Sequence, residues 1–589
     1  KPMKKRILSI LLLCCMVLIM LPTTVLAADG PMDTIPKYDV SIDVYNRTSD
    51  ISIKDSRSYY IYSSVPDKLR DTWAWDKKIF IKGDKTAPHV FIDGVNIKMS
   101  PSSLGPAIEL NKKASAYIYF IGKNSSLQGA DGRAAIQKNR SEGQLYVLAR
   151  TGTTVTCKGG DKAAGIGGSY ATRNISNGYY NGDMYGHGVN MHFGSQSNPD
   201  YWGGIIAAIG GNGGAGIGGG KESSGATNIE ITGDALVSAG SSGSAAIGSG
   251  ESSTGETTIN IHDTNPEKGV KSAFAYGGAG IGSGRYAKGK TYVTISNASV
   301  STLETPAAST NTSGAGIGTG YGSQSDAEIT IEDSTVKAVG GSGAAIGSGS
   351  EGGVFSPPTG DPNTFKTIIR ITDSNVTASS GPSAAIGSGS YSTNATEIHI
   401  NGGRIEASNY SGSAIGSGDS AKGKTGIYIT GSNVTATADI GTGIGSGTSS
   451  SGETTIDISG GTVTAMGGGD GYDGSAGIGS GSHSTGYTHI TLHDGVTVKA
   501  TGGGNSSLGG GGGAGIGSGN RAKGNTDILI KGATKVTAKG GSTAAGIGSG
   551  NGSNGSTIIN IEGGTITAEG GGKENGSCQA SGALSLIHI

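Results

Sequence analysis

The heptapeptide Ser244–Gly250, SAAIGSG, recurs with small variations through most of the chain, and this repetition constrains the fold more than any other feature. From Ile217 onward the isoleucines inside the motif are 29 to 40 residues apart. No spacing is shorter than 29 residues, and the longer spacings indicate a fixed structural unit that tolerates inserted loops. Periods in this range are typical of solenoids and propellers. The isoleucines fall at Ile166, Ile217, Ile247, Ile281, Ile317, Ile346, Ile386, Ile415, Ile444, Ile478, Ile516 and Ile547.

One repeat, from Ser413 to Ala436, contains three short segments separated by polar loops. In Ile427–Ile429 and Asn433–Thr435 the aliphatic and polar residues alternate, which is the period-2 pattern of strands. In Ala414–Gly416 one large side chain stands between small residues, which suits closely approached backbone. Three strands per repeat and no helical run predict an all-β fold, a right-handed parallel β-helix (β-solenoid) with about three strands per ~29-residue coil.

The residue after the second strand is confined to three residue types in eleven copies. Glycine, asparagine and aspartate enter the left-handed region at low cost, so this position predicts a turn. The alternative is a row of catalytic or calcium-binding carboxylates, and the six glycines favour the turn. The residues are Gly233, Asp263, Asn297, Asp333, Asp373, Gly402, Gly431, Gly460, Asp494, Gly532 and Gly563.

The chain begins with a predicted secretory signal peptide over residues 1–27. Lys4, Lys5 and Arg6 precede an apolar run too short to be argued as a spanning helix, and Val25–Ala27 provides a cleavage site. We therefore expect a secreted or cell-surface attached, extracellular protein that meets a membrane only through the signal peptide before cleavage.

The remaining chain divides into three predicted parts. Residues 28–104 read as an N-terminal cap with irregular first coils, and residues 105–583 as regular β-helix repeats. Insertions at 169–204 and 351–367 are expected to project from the stack as loops. Residues 584–589 resemble a translated sequencing adapter and are expected to be an artefact.

Composition and charge narrow the functional classes. Glycine supplies 111 of 589 residues, and the periodic aliphatics exclude simple disorder. With a net charge of −1, no overall field favours nucleic acid or anionic membranes. Cys157 and Cys578 are too far apart in a linear array for a disulfide to be expected.

Three glycine-rich stretches imitate ligand-binding motifs. Gly284–Thr291 and Gly418–Thr425 fit the phosphate-loop pattern, but strand-like residues follow where nucleotide binding needs a helix N-terminus. Gly468–Ser475 resembles one calcium-binding nonapeptide, a motif that works only in arrays. We therefore predict no nucleotide, no metal and no other cofactor.

Two groups of residues are candidate binding sites, and no catalytic residue is assigned. Aromatic rings in the first insertion suit stacking on sugars, or they pack the insertion onto the solenoid wall. Successive coils also place polar residues in one outward column, which is either a second binding face or acid/base site, or ordinary solvated surface. The first group is Tyr179, Tyr180, Tyr185, Tyr201 and Trp202; the second is Arg370, His399, Tyr428 and Asp457.

Four motifs carry a family resemblance: Gly105–Leu110, Ala134–Gln137, Thr153–Gly160 and the repeated AGIGSG…TIxIxGGTVTA. They resemble the Gly-rich parallel β-helix repeats of secreted bacterial surface proteins, often described as adhesin-like or carbohydrate-binding and common in Gram-positive anaerobes. The resemblance implies a non-catalytic adhesin or stalk that binds a polysaccharide or a host or cell-surface glycan. A polysaccharide lyase or glycoside hydrolase on the same fold and a passive structural spacer remain alternatives.

Overall fold

A computed structural model shows a chain built from strands in three parallel sheets, stacked as coils of a solenoid. Among the described residues the only helix is one short 3₁₀ turn, Asp67–Leu69. The structure describes residues 36–83, 85–100, 105–111, 113–138, 142–170, 188–195, 201–302, 314–351, 361–469, 473–504 and 510–572.

The three sheets contain 17, 16 and 15 strands, and each complete coil contributes one strand to each sheet. Sheet 1 contains Val40–Asp43, Ser58–Tyr62, His89–Asp93, Ala116–Ile121, Leu145–Ala149, Gly188–Phe193, Thr227–Gly233, Thr257–Thr264, Thr291–Ser296, Ala327–Glu332, Lys366–Thr372, Ala395–Asn401, Thr425–Thr430, Thr454–Ser459, Thr488–His493, Thr526–Ile530 and Thr557–Ile561. Sheet 2 contains Ile51–Ile53, Ile79–Lys82, Ile108–Asn111, Ile136–Lys138, Ile166–Gly167, Ile217–Gly218, Ile247–Gly248, Ile281–Gly282, Ile317–Gly318, Ile346–Gly347, Ile386–Gly387, Ser413–Gly416, Thr442–Gly445, Ile478–Gly479, Ile516–Gly517 and Ile547–Gly548. Sheet 3 contains Asn96–Lys98, Ser125–Gln128, Thr154–Lys158, Ile205–Asn212, Leu236–Ser242, Gly269–Tyr276, Ser299–Ser301, Thr335–Val339, Asn375–Ser380, Arg404–Asn409, Asn433–Ala438, Thr462–Met466, Thr497–Thr501, Lys535–Ser542 and Thr565–Gly571.

Equivalent side chains of successive coils lie directly above one another, which confirms the predicted right-handed parallel β-solenoid of three strands per coil. Ile427 pairs in register with Ile456, and Ile456 with Ile490. All three are buried in one continuous core that runs through the stack. Sheets 1 and 2 supply mainly isoleucine to this core, and sheet 3 supplies mostly valine followed by alanine.

The repeated Ile-Gly of sheet 2 follows from the close approach of neighbouring coils. The glycine of each pair has a φ between 128° and 144°, a conformation that L side chains rarely adopt. A Cβ at Gly445 would lie 1.8 Å from the carbonyl oxygen of Gly479 in the next coil. The isoleucine therefore fills the core, whereas the glycine permits the stacking.

The serine that follows this glycine joins successive coils. The Ser417 hydroxyl accepts a hydrogen bond of 2.9 Å from the backbone N–H of Gly447, one coil further on. The same bond recurs along nine successive coil junctions at 2.9–3.2 Å. Every letter of IGSG thus has a structural role. The acceptors are Ser249, Ser283, Thr319, Ser348, Ser388, Ser417, Ser446, Ser480 and Ser518.

The predicted turn column has positive φ in all eleven copies, from 45° at Asp373 to 155° at Gly563. A second column of positive φ follows IGSG and was not predicted from the sequence. It contains ordinary residues such as Tyr286 and Arg521, with φ of 57° and 52°. The N–H of Tyr286 donates to the carbonyl of Tyr321 in the next coil at 2.8 Å, so inter-coil bonding holds this conformation.

The coils begin early in the chain. The strand Val40–Asp43 already pairs in register with Ser58–Tyr62, within the predicted cap and irregular coils of 28–104. The predicted insertion 169–204 contains Gly188–Phe193, a strand of sheet 1, and the insertion 351–367 runs into Lys366–Thr372. Coil therefore occupies part of each predicted insertion. The predicted signal peptide and residues 584–589 lie outside the described residues.

Candidate functional site on the outer face of sheet 1

One outward column of sheet 1 contains four of the predicted site residues. Alternate residues of each strand point away from the core, and coils repeat them at steps of about 4.8 Å. We call the middle row of these residues the central column. In chain order it contains His89, Tyr117, Tyr146, His192, Glu230, Asn260, Thr294, Thr330, Arg370, His399, Tyr428 and Asp457.

The N-terminal end of the central column is a stack of four rings. The ring centroids of His89 and Tyr117 are 4.7 Å apart, and those of Tyr117 and Tyr146 are 4.5 Å apart. His192 stacks on Tyr146 at 4.5 Å. Burial raises the pKa of Tyr146 to about 12, so its hydroxyl stays protonated at neutral pH. Because the rings cover each other's faces, mainly their polar edges are available to a ligand.

A second, apolar column lies beside this stack on the same outer face. Its members are buried although they point away from the solenoid core. Phe91 and Tyr119 stack at 4.8 Å, and burial raises the pKa of Tyr119 well above its ordinary value. This column consists of Tyr60, Phe91, Tyr119 and Leu148.

Two of the predicted insertion aromatics lie on this apolar column. Trp202 is half-buried with its ring centroid 5.1 Å from that of Tyr119. Tyr201 meets Trp202 edge-on at 4.5 Å, and the Arg150 guanidinium lies 5.1 Å from the Tyr201 ring. Both predicted roles are therefore compatible with the geometry, since one surface of Trp202 packs while part of the ring stays accessible. The other three, Tyr179, Tyr180 and Tyr185, lie outside the described residues.

A carboxylate between two imidazoles ends the ring stack. Glu230 contacts His192 through one carboxylate oxygen and His262 Nε2 through the other, the latter at 2.8 Å. His262 Nδ1 also lies 3.0 Å from Asp263, a residue of the turn column. Hydrogen bonding to Glu230 raises the pKa of His262 to about 9, and the two imidazoles hold the pKa of Glu230 far below its usual range. The acidic groups at this end of the column are therefore paired with neighbouring histidines.

The predicted column of Arg370, His399, Tyr428 and Asp457 is confirmed as a column by the strand register. The rings of His399 and Tyr428 stack at 4.9 Å, and His399 Nε2 lies 2.6 Å from Glu397. Asp457 lies 2.8 Å from His493 Nε2. The roles of this column as a binding face or an acid/base site remain predictions.

The two predicted groups share one face but stand far apart. Seven coil steps separate the strand of Tyr119, on which Trp202 packs, from the strand of Arg370, which corresponds to roughly 34 Å. A short ligand contacts one group, whereas a long polymer chain along the column would reach both.

Sequence reasoning missed two histidines beside the central column, His262 and His493, each of which contacts two carboxylates. His493 lies 2.7 Å from Asp494 and 2.8 Å from Asp457 of the preceding coil, the arrangement that His262 makes with Asp263 and Glu230. The signal was a His-Asp pair at the end of a sheet 1 strand, which occurs in both places. It could be interpreted only once the coil register placed a carboxylate of the preceding coil diagonally beside each histidine.

The glycine-rich motifs have structural roles in the described residues. Gly284–Thr291 and Gly418–Thr425 lead directly into the sheet 1 strands Thr291–Ser296 and Thr425–Thr430, so neither loop opens a helix. In Gly468–Ser475, Asp473 accepts a hydrogen bond of 2.6 Å from Asn520. Across the described residues, no cluster of three or more histidine, cysteine or acidic side chains is arranged to hold a metal ion.

Comparison with known proteins supports the repeat architecture. Six segments match the family model described as Beta helix repeat: residues 329–350, 369–390, 398–419, 456–482, 528–551 and 559–582. Searches of curated proteins and of solved structures return no match. Within the described part of the chain, no helix has the length and hydropathy of a membrane span. Sequence match and geometry agree that this is a parallel β-helix repeat protein.

Proposed function

We propose that the protein is a secreted or cell-surface β-helix, acting as adhesin or stalk, that binds glycan chains without cleaving them. The observation that carries the proposal is the position of Trp202, packed on Tyr119 and half-accessible beside the ring stack. An indole fixed in this way offers an apolar ring surface to a sugar, and the edges of Tyr117 and Tyr146 supply phenol groups for hydrogen bonds. The extracellular location rests on the predicted signal peptide.

Rigidity of the surface favours binding by a preformed site. The rings are held by parallel strands in continuous register, so little side-chain entropy is lost when a ligand docks. Each carboxylate described in the central column, Glu230 and Asp457, already has a histidine partner. These contacts favour a binding role over catalysis for this face.

The proposal is tested by glycan-array binding and polysaccharide affinity electrophoresis. We expect the double variant Tyr201→Ala, Trp202→Ala to lose roughly five- to thirtyfold in affinity, because one sugar–indole contact is worth about 1–2 kcal/mol. Tyr410→Ala is the matched control, because Tyr410 is 56% exposed on a distant coil. Unchanged binding in the double variant would remove the site, provided that its melting temperature matches that of the control.

Polysaccharide cleavage is the second candidate function. The observation that favours it is the grouping of Arg370, His399 and Glu397 on one face, with His399 and Glu397 hydrogen-bonded at 2.6 Å. A lyase of uronates would release unsaturated ends, which absorb in the ultraviolet. Absorbance that rises with wild type but not with His399→Gln would support catalysis, and no rise across a panel of uronate polymers would exclude this lyase activity.

A further inference from the structure

The outer face of sheet 3 is chemically different from that of sheet 1. We call the outward side chains of its last five strands, Asn433–Ala438 to Thr565–Gly571, the threonine face. One of its columns consists of Thr435, Thr464, Lys499, Thr537 and Thr567. These side chains are exposed or half-exposed, whereas the valine and alanine between them are buried.

The threonine face is a regular two-dimensional array. From Asn433 to Lys539 its strands pair without a register shift. Neighbouring side chains therefore repeat at about 4.8 Å along the stack and about 7 Å along each strand. Branched Thr side chains restrict their own rotamers, so the hydroxyls hold their positions in the array. An array of this kind suits a polymer that presents hydroxyl groups repeatedly.

The charges on the threonine face are mainly positive. Lys499 and Lys535 are exposed and form no ion pair with any described residue. Glu569 lies at the border of the face and is paired with Lys539 at 3.2 Å. On sheet 1, by contrast, Glu230, Glu397 and Asp457 each contact a histidine. Lys499 and Lys535 are therefore available on the threonine face to pair with an anionic ligand.

We infer that the threonine face is a second binding surface, for an acidic polysaccharide lying along the coils. The hydroxyl groups of the polysaccharide contact Thr435, Thr464 and Thr537, and its carboxylate or sulfate groups contact Lys499 and Lys535. The face has no aromatic side chain among its described outward positions, so it lacks the stacking platforms by which single-stranded nucleic acid is bound. The inference is independent of the glycan site at Trp202, which is on another sheet.

The test is affinity electrophoresis of the full chain in gels containing polygalacturonate, with neutral dextran gels in parallel. Wild type is expected to be retarded by polygalacturonate and not by dextran, with less retardation at high salt. The double variant Lys499→Gln, Lys535→Gln is expected to bind roughly fivefold or more weakly, because each substitution removes one ion pair with the polymer. Lys288→Gln with Lys422→Gln, on loops outside the face, removes the same charge and is expected to leave binding unchanged.

A second pair of variants separates hydroxyl recognition from charge. Thr435→Val with Thr464→Val keeps the side-chain shape and removes two hydroxyls, and we expect roughly fivefold or more weaker binding. Thr254→Val with Thr485→Val makes the same change at exposed loop positions outside the face and serves as the control. Trp202→Ala is expected to retain polygalacturonate binding even if it abolishes binding at the aromatic site.

Four results would overturn the inference. They are no retardation by polygalacturonate, equal loss in the Lys288/Lys422 control, tighter binding to single-stranded DNA than to polygalacturonate, and binding only to neutral polymers. Melting temperatures within a few degrees of wild type establish that each variant is folded.

Discussion

The stacking glycines of sheet 2 provide the sharpest test of how this solenoid is held together. Gly445 has a φ of 139°, and a Cβ there would lie 1.8 Å from Gly479 O and 2.8 Å from Gly479 C. Gly445→Ala therefore forces neighbouring coils apart. Gly431 has a φ of 61°, and a Cβ there would meet nothing within 4 Å. The same substitution at Gly431 adds only local backbone strain.

The two costs can be estimated separately. An alanine held at such a φ costs about 1–3 kcal/mol. Moving the coils apart also weakens inter-coil hydrogen bonds such as Ser446 N–H to Gly479 O, now 3.0 Å, at about 1 kcal/mol each. We expect Gly445→Ala to destabilise its coil by roughly 3–5 kcal/mol in all. Gly431→Ala should cost about 1–2 kcal/mol, the penalty for a left-handed alanine.

Hydrogen exchange measured by mass spectrometry is the appropriate assay, because coils open locally and a single global transition is not expected for a solenoid. A difference of about 2–3 kcal/mol corresponds to roughly 30- to 150-fold faster exchange in peptides covering the Gly445 coil. Equal exchange in the two variants would refute the stacking argument. Faster exchange in Gly431→Ala than in Gly445→Ala would contradict the stacking argument as well.

Three further predictions follow from the described contacts. Ser417→Ala leaves the buried N–H of Gly447 without its 2.9 Å acceptor, so local stability should fall by about 1–3 kcal/mol by hydrogen exchange. Ile456→Ala should cost about 2–5 kcal/mol by chemical denaturation, because it opens a cavity in the buried ladder. His262 has a raised pKa of about 9, so its contribution is complete below pH ~6.5 and is lost as the pH rises through about 9. The melting temperature of wild type should therefore fall more between pH 7 and pH 9.5 than that of His262→Gln.

Each of these predictions has a matched comparison. Ser451→Ala removes an exposed loop hydroxyl and should leave exchange unchanged. Tyr428→Ala removes an outward ring and should cost far less than Ile456→Ala. If the His262→Gln variant shows the same pH dependence as wild type, the contact with Glu230 contributes nothing to alkaline stability.

The solenoid could be predicted from the sequence because its determinants are local and repeated. The isoleucine spacing and the turn column each follow from residue type, and the structure bears out both. The second column of positive φ could not be predicted, because Tyr286 and Arg521 do not favour that conformation. Hydrogen bonds from the next coil impose it.

The candidate site was less predictable than the fold. The column from Arg370 to Asp457 needed only the strand register, which the repeats already imply. The ring stack needed the pairing of Tyr117, Tyr146 and His192 across degenerate coils, where spacing in the sequence varies too much to align them. The packing of Trp202 on Tyr119 depends on how a loop folds back onto sheet 1, and the repeat pattern does not encode the path of this loop.

The hydrogen bonds that join the coils run along the length of the stack, and this has a mechanical consequence. A pull on the two ends loads the outermost coil first, and the coils behind it stay intact until it peels away. Each released coil of about 29 residues extends to roughly 100 Å of free chain in place of a rise of about 4.8 Å. Under tension the rod would lengthen by successive small steps, which suits a tether that must absorb sudden load without snapping.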